Sequence, residues 1–184
     1  MERRWLSVDT ARSAALDVER FDFCLTHPNP ILLAAEVRDG RLMKPKVTGR
    51  ASPNPTMLYT TSVEGAQEID NPDPPIRYML IRYPIPSAAQ EARVQWLTVG
   101  RTSMSDLMIN DYTISKNHAR IYQQAEGEYV LEDVGSTNGT WRNDERLKRG
   151  EQAGLEDADT VRFGRQVFTF FMPGSFYDFL IGLD

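Results

Sequence analysis

The chain has 184 residues, of which 41% are hydrophobic and 26% charged, with a formal net charge of −5. That length suits one full domain with an extension, and the balance lacks the basic excess that a nucleic-acid binder normally presents. One cysteine, Cys24, and two histidines, His27 and His118, exclude an internal disulfide and offer none of the Cys/His spacings of a zinc site, so neither metal nor cofactor is expected.

Taken in chain order, Arg3-Arg4 is the first feature, and it has no apolar core behind it. Asp9, Arg12, Asp17, Glu19 and Arg20 interrupt every candidate stretch, so no export signal is expected. No run of about 18 apolar residues follows anywhere, and a cytoplasmic location without membrane contact is the expectation. Ala11, Ala14, Ala15, Val18, Phe21 and Leu25 recur at three- and four-residue spacing, which predicts one helix over about 9–26, a packing face or dimer partner. His27-Pro-Asn-Pro30 ends it. A short strand is expected over 31–37, before the Asp39-Gly40 turn.

Between residues 44 and 75 the prolines Pro45, Pro53, Pro55, Pro72, Pro74 and Pro75 punctuate a segment with few large apolar residues. It reads as an extended linker, with one short strand near Met57-Leu58-Tyr59, and places a boundary there. Residues 1–75 are therefore expected to form an N-terminal extension. Beyond it, the runs 76–83, 94–100, 107–110, 119–123, 129–134, 160–163 and 167–172 are rich in branched and aromatic residues. Turn residues separate them: Pro84-Ile-Pro86, Glu126-Gly127, Asn138-Gly139 and Asn143-Asp144. Many short strands without intervening helical periods predict an all-β domain, a sandwich or barrel, over 76–173. Asn138-Gly139 is a tight-turn dipeptide because both residues tolerate positive φ. A short C-terminal helix is expected within 174–184, at 175–180, with Phe176, Phe179 and Leu180 packed back on the sandwich.

Four clusters in the β region carry polar chemistry: Val99-Gly100-Arg101, Ser115-Lys-Asn-His118, the run from Leu131 to Thr140 that contains Ser136-Thr-Asn-Gly-Thr140, and Ala158-Asp-Thr-Val-Arg-Phe-Gly164. In this order and spacing they resemble the forkhead-associated (FHA) family, over roughly residues 76–173, with Ser105-Asp-Leu107 in the loop after the arginine. The resemblance implies a β-sandwich of two antiparallel sheets that binds phosphothreonine peptides. It implies that Arg101, Ser115, Lys116 and Thr137 contact the phosphate and that Asn138 holds the peptide main chain. Gly100 and Gly139 would be backbone requirements, and His118 would brace the Ser115 loop. Lysine stands at Lys116 where many family members carry arginine, which keeps the charge and loses the bidentate fork. The residue types suit such a ligand, since a phosphothreonine dianion needs directed cationic and hydroxyl donors presented by loops. Residues 110–113 and 141–143 would read the ligand beyond the phosphate.

The expected role is an adaptor or phospho-switch in Ser/Thr kinase signalling, its partner a phosphothreonine-containing protein such as a kinase or a kinase substrate. The alternative is a structural or oligomerisation sandwich that ignores phosphorylation. An enzyme is not expected, because the chain has no Walker loop, no Gly-x-Ser-x-Gly elbow and no metal-ligand cluster. Thr60-Thr61-Ser-Val63 reads as a short strand or polar connector. It also resembles the tail that occupies its own pocket when phosphorylated in switch proteins of this family, which makes Thr60 and Thr61 candidate self-ligands.

Overall fold

The computed structural model describes residues 6–35, 37–38, 41–42, 77–80, 95–124 and 127–183. The linker expected at 44–75, with Met57-Leu58-Tyr59, Thr60 and Thr61, lies outside them, as does the Asp39-Gly40 turn. In chain order the elements are β1 (Leu6–Ser7), α1 (Val8–Leu16), α2 (Arg20–Thr26), β2 (Ile31–Leu33), β3 (Val37–Arg38), β4 (Arg41–Leu42) and β5 (Arg77–Leu80). There follow β6 (Gln95–Gly100), β7 (Leu107–Met108), β8 (Ala119–Gln123), β9 (Tyr129–Asp133), β10 (Thr140–Arg142), β11 (Glu145–Arg146), β12 (Gln152–Leu155), β13 (Thr160–Phe163), β14 (Gln166–Phe171) and α3 (Pro173–Ile181).

Two main sheets form the sandwich. One runs β1-β5-β2-β14-β13-β10-β11, and the other β12-β9-β8-β6-β7, while β3 and β4 pair separately. Neighbours are antiparallel except β6 and β7, which are parallel. The inner faces contribute Leu97, Val99, Ile121, Leu131, Val161, Phe163, Phe168 and Phe170 to one buried cluster. Burying a side chain of this size contributes about 1.5–3 kcal/mol, so this layer dominates the stability of the fold.

The short strand expected at 31–37 is β2, and it is built into the larger sheet between β5 and β14. Residues placed above in the extension thus enter the sandwich. The reason is that Ile31-Leu-Leu33 is buried on both faces: Leu32 joins the inter-sheet cluster, whereas Ile31 and Leu33 join a second cluster with Val8, Ala11, Ala15, Phe23, Phe171, Phe176, Phe179 and Leu180. This second cluster lies on the outside of the larger sheet, where α1, α2 and α3 cover it. Phe176, Phe179 and Leu180 pack there as expected.

The single helix expected over 9–26 is two helices. Asp17 closes α1, and Glu19, in an extended conformation, opens α2. This break resets the helical phase. Ala11 and Ala15 face the core as expected, but the next inward residue is Phe23, while Val18, Phe21 and Leu25 of the presumed stripe are exposed. Tertiary contacts hold the break: the Tyr177 hydroxyl donates to the Val18 carbonyl at 3.1 Å, and Arg20 pairs with Asp178 at 2.9 Å.

Candidate functional site

The site forms where the loops after β6, β7 and β9 meet at one end of the sandwich. Gly100 closes β6, and the approach there leaves no room for a side chain. A Cβ at this position would lie 2.1 Å from the Lys116 carbonyl oxygen and 2.4 Å from the Ser105 hydroxyl. The next residue ties the loops together: the Arg101 N–H donates to the Ser115 carbonyl at 3.0 Å, and the His118 N–H donates to the Val99 carbonyl at 2.9 Å.

His118 is completely buried and uses both ring nitrogens. Nδ1 accepts from the Ser115 N–H at 3.0 Å, and Nε2 stands 2.9 Å from the Gly139 carbonyl. A carbonyl only accepts, so the proton sits on Nε2 and the ring is the neutral tautomer. One imidazole therefore sets the Ser115 loop against the Asn138-Gly139 turn, with its edge on the Phe163 ring. In that turn Gly139 has φ +91°, whereas Asn138, expected to share positive φ, does not.

This bracing brings two hydroxyls together. The Thr137 N–H donates to Ser115 Oγ at 3.0 Å, and Ser115 Oγ in turn lies 3.4 Å from Thr137 Oγ1. Asn138 Nδ2 donates to the Thr113 carbonyl at 2.7 Å, which leaves its second amide hydrogen and its carbonyl oxygen for a ligand. Arg101 and Lys116 are exposed, and among the described residues neither side chain has a hydrogen bond or an ion-pair partner. Five of the residues singled out in the sequence, Arg101, Ser115, His118, Thr137 and Gly139, are thus linked by hydrogen bonds in one loop cluster, with Asn138 tied to Thr113 and Gly100 packed against the Lys116 carbonyl. Lys116 adjoins it through its carbonyl, while Thr60 and Thr61 lie outside the described residues.

Two carboxylates escaped the sequence reading. Asp133, 3% exposed, accepts from the N–H groups of Gly135 and Ser136 on one oxygen, and from the Ser136 and Thr140 hydroxyls on the other. Burial by itself raises its pKa, but the donors from Ser136, Thr140 and the two backbone N–H groups outweigh this and hold it below the ordinary carboxylate value. Asp111, 2% exposed, likewise gathers the Thr113 N–H and hydroxyl, Arg165 Nε and Gln166 Nε2. It locks the loop that carries Thr113 to the turn after β13. The available signal was an Asp two residues before Gly135 or Thr113, the spacing at which aspartate caps a turn.

Burial lowers the pKa of His118, against the opposing pull of the Gly139 carbonyl and the Asp133 charge. Protonation of Nδ1 would also break its bond from the Ser115 N–H. The unfolded chain therefore takes up the proton first. The stabilisation is complete above the unfolded value of about 6.5 and is lost as pH falls towards the depressed folded value. Melting temperatures between pH 8 and pH 5 are expected to fall below about pH 6.5.

Among the described residues there is no group of three or more His, Cys, Asp or Glu that could hold a metal ion. No described helix is long and apolar enough to cross a membrane.

Comparison with known proteins points to the same segment. The FHA domain family model matches residues 97–164. The oxoglutarate dehydrogenase inhibitor of Corynebacterium efficiens is 40% identical over 68 residues, which cover 37% of this chain and 45% of that protein. The glycogen accumulation regulator GarA of Mycolicibacterium smegmatis is 37% identical over 68 residues, or 37% and 40% of the two chains. This chain thus spans less than half the length of these relatives. Among solved structures, the N-terminal FHA domain of S. cerevisiae Rad53p in complex with a phosphothreonine peptide aligns at 25% identity and a TM-score of 0.44, over 53% of this chain and 87% of that one. With the motif loops, their bracing histidine and the family match all in one segment, residues 97–164 are a forkhead-associated domain.

Proposed function

We propose that this protein is a phosphothreonine-dependent binding module, acting as adaptor or phospho-switch in Ser/Thr kinase signalling, and that it does not catalyse a reaction. The observation that carries this reading is the pair of touching hydroxyls, Ser115 and Thr137, held rigidly next to the backbone of Arg101 and Lys116. Two cations without carboxylate partners among the described residues, in a chain of net charge −5, are arranged for an anion from outside. In this reading Arg101, Ser115, Lys116 and Thr137 bind the phosphate. Asn138 binds the peptide backbone, and Gly100, His118 and Gly139 hold the loops in place. A cytoplasmic phosphoprotein, such as a kinase or its substrate, is the partner class that fits, and the named relatives include a regulator and an inhibitor.

The test is a titration with one peptide in phosphothreonine, phosphoserine and unmodified forms, followed by fluorescence anisotropy. Binding confined to the phosphothreonine form is the expected result, and equal affinity for the unmodified form would overturn the proposal. The self-ligand reading of Thr60 or Thr61 adds one arm. A tether supplies about millimolar effective concentration, so kinase-treated protein should bind the external phosphopeptide more weakly than untreated protein, and phosphatase should restore it.

A second reading, as an oligomerisation module, draws on the exposure of Leu16, Phe21 and Leu25 at 62%, 72% and 64%. It requires self-association through the N-terminal helices and indifference to phosphate, both of which the same samples report.

A further inference from the structure

The larger sheet carries a feature on its outer face that the phosphate pocket does not use. Trp141, in the middle of β10, is the direct cross-strand partner of Arg146 on β11 and of Arg162 on β13. Both guanidiniums lie on its indole. The Arg162 carbon is 3.3 Å from the ring centroid and that of Arg146 is 5.3 Å away. The result is an Arg–Trp–Arg row across three adjacent strands, where cation–π attraction holds two like charges on one ring.

This row abuts the ligand-binding loops. A Cβ on Gly139 would lie 2.7 Å from Arg146 Nε and 2.7 Å from the tip of the Trp141 ring, so the row packs directly behind the turn that presents Asn138. Its arginines also lack a salt-bridge partner among the described residues, unlike others in the fold. Arg20, Arg142 and Arg165 each pair with a carboxylate within 3.3 Å. Among the described residues Arg146 and Arg162 have no such partner, and Arg162 donates a hydrogen bond to the Gly164 carbonyl at 3.1 Å. Burial lowers the pKa of Arg162, the Asp144 charge opposes this, and the smaller repulsion from Arg146 adds to the lowering. An anion set against the two guanidiniums would offset the cost of burying the Arg162 charge.

Resting on the phosphopeptide reading above, we propose that the Arg146–Trp141–Arg162 row is a second recognition surface, which selects ligands carrying acidic side chains a few residues from the phosphothreonine. Charge complementarity singles out this occupant. The row is cationic and partly apolar, so carboxylates pair with the guanidinium edges while their methylene groups lie on the indole. The site therefore reads two features of one ligand, the phosphate at the hydroxyl pair and an acidic flank at the row.

The experiment uses the full chain and three phosphothreonine peptides of identical core, flanked by neutral residues, by glutamates on the N-terminal side, or by glutamates on the C-terminal side, each with its unphosphorylated twin. The variants are Arg146→Gln and, as a control for charge on the other sheet, Arg120→Gln. Wild-type protein should bind one glutamate-flanked phosphopeptide about fivefold tighter than the neutral one, the gain of one or two exposed ion pairs. Arg146→Gln should remove most of that gain and leave the neutral phosphopeptide within about twofold, whereas Arg120→Gln keeps it. In 1 M salt, with a screening length of about 3 Å, the preference should collapse. An equal glutamate preference in wild type and Arg146→Gln, or none in either, with phosphate dependence intact, overturns this inference alone. Loss of phosphate dependence in the wild type overturns the proposed function and this inference with it.

Discussion

Arg101→Ala is expected to weaken phosphothreonine-peptide binding by roughly 10- to 150-fold while leaving the melting temperature unchanged. The binding loss follows from removing a charge-assisted contact to a dianion, about 1.5–3 kcal/mol, which converts to that range of affinity. The neutral effect on stability follows from the structure. The Arg101 side chain is exposed and has no partner among the described residues, and its one structural contribution is a backbone N–H to the Ser115 carbonyl, which alanine retains. Exposed substitutions of this kind stay within about 0.5 kcal/mol. Arg101→Lys should fall between, since it keeps the charge and loses the planar fork. Isothermal titration with the phosphopeptide, set beside thermal melts of the same preparations, checks both halves. A variant that binds as wild type does would remove Arg101 from the pocket.

Asp133→Ala should do the reverse, destabilising the fold by about 3–5 kcal/mol and losing affinity only as a consequence. Its carboxylate collects four donors in the loop that carries Thr137 and Asn138, and it is nearly inaccessible to water. Alanine leaves the buried Thr140 hydroxyl and the part-buried Gly135 and Ser136 donors without this acceptor, and each buried group left unsatisfied costs about 1–3 kcal/mol. The pH dependence has a definite sign. The folded pKa of Asp133 is depressed, so its contribution is present above the unfolded value of about 3.9 and disappears as pH falls through the folded value. Urea denaturation of wild type and Asp133→Ala between pH 7 and pH 3 should show curves that lie far apart at neutral pH and converge in acid. A constant separation would mean that the carboxylate charge is not what the loop depends on.

The features legible from the residues alone are local in origin. Gly100-Arg101, Ser115-x-x-His118 and Ser136-x-Asn-Gly-Thr140 are short strings whose residue types already state a donor set, and the structure joins them in one loop cluster. Strands such as 119–123 and 160–163 appear where their branched and aromatic content puts them, because a side-chain period of two reports burial on one face. The C-terminal helix was legible for the same reason at its own period. The short strands β10, β11 and β12 were not, since Thr140-Trp-Arg142, Glu145-Arg146 and Gln152-Ala-Gly-Leu155 lack the run of branched and aromatic residues that marks 160–163.

The remaining features depend on neighbours distant in the chain and emerge once the chain is folded. Ile31-Leu-Leu33 reads as a strand locally, yet its place between β5 and β14 comes from a sheet and a helical layer that bury it on opposite faces. The break between α1 and α2 depends on α3, more than 150 positions away in sequence, which holds Val18 and Arg20. The resemblance assigned His118 to the Ser115 loop, but its second bond, to the Gly139 carbonyl in a separate loop, exists only in the fold. Trp141, Arg146 and Arg162 acquire their meaning from register alone: a shift of one residue in either strand pairing would turn an arginine to the opposite face and dissolve the row.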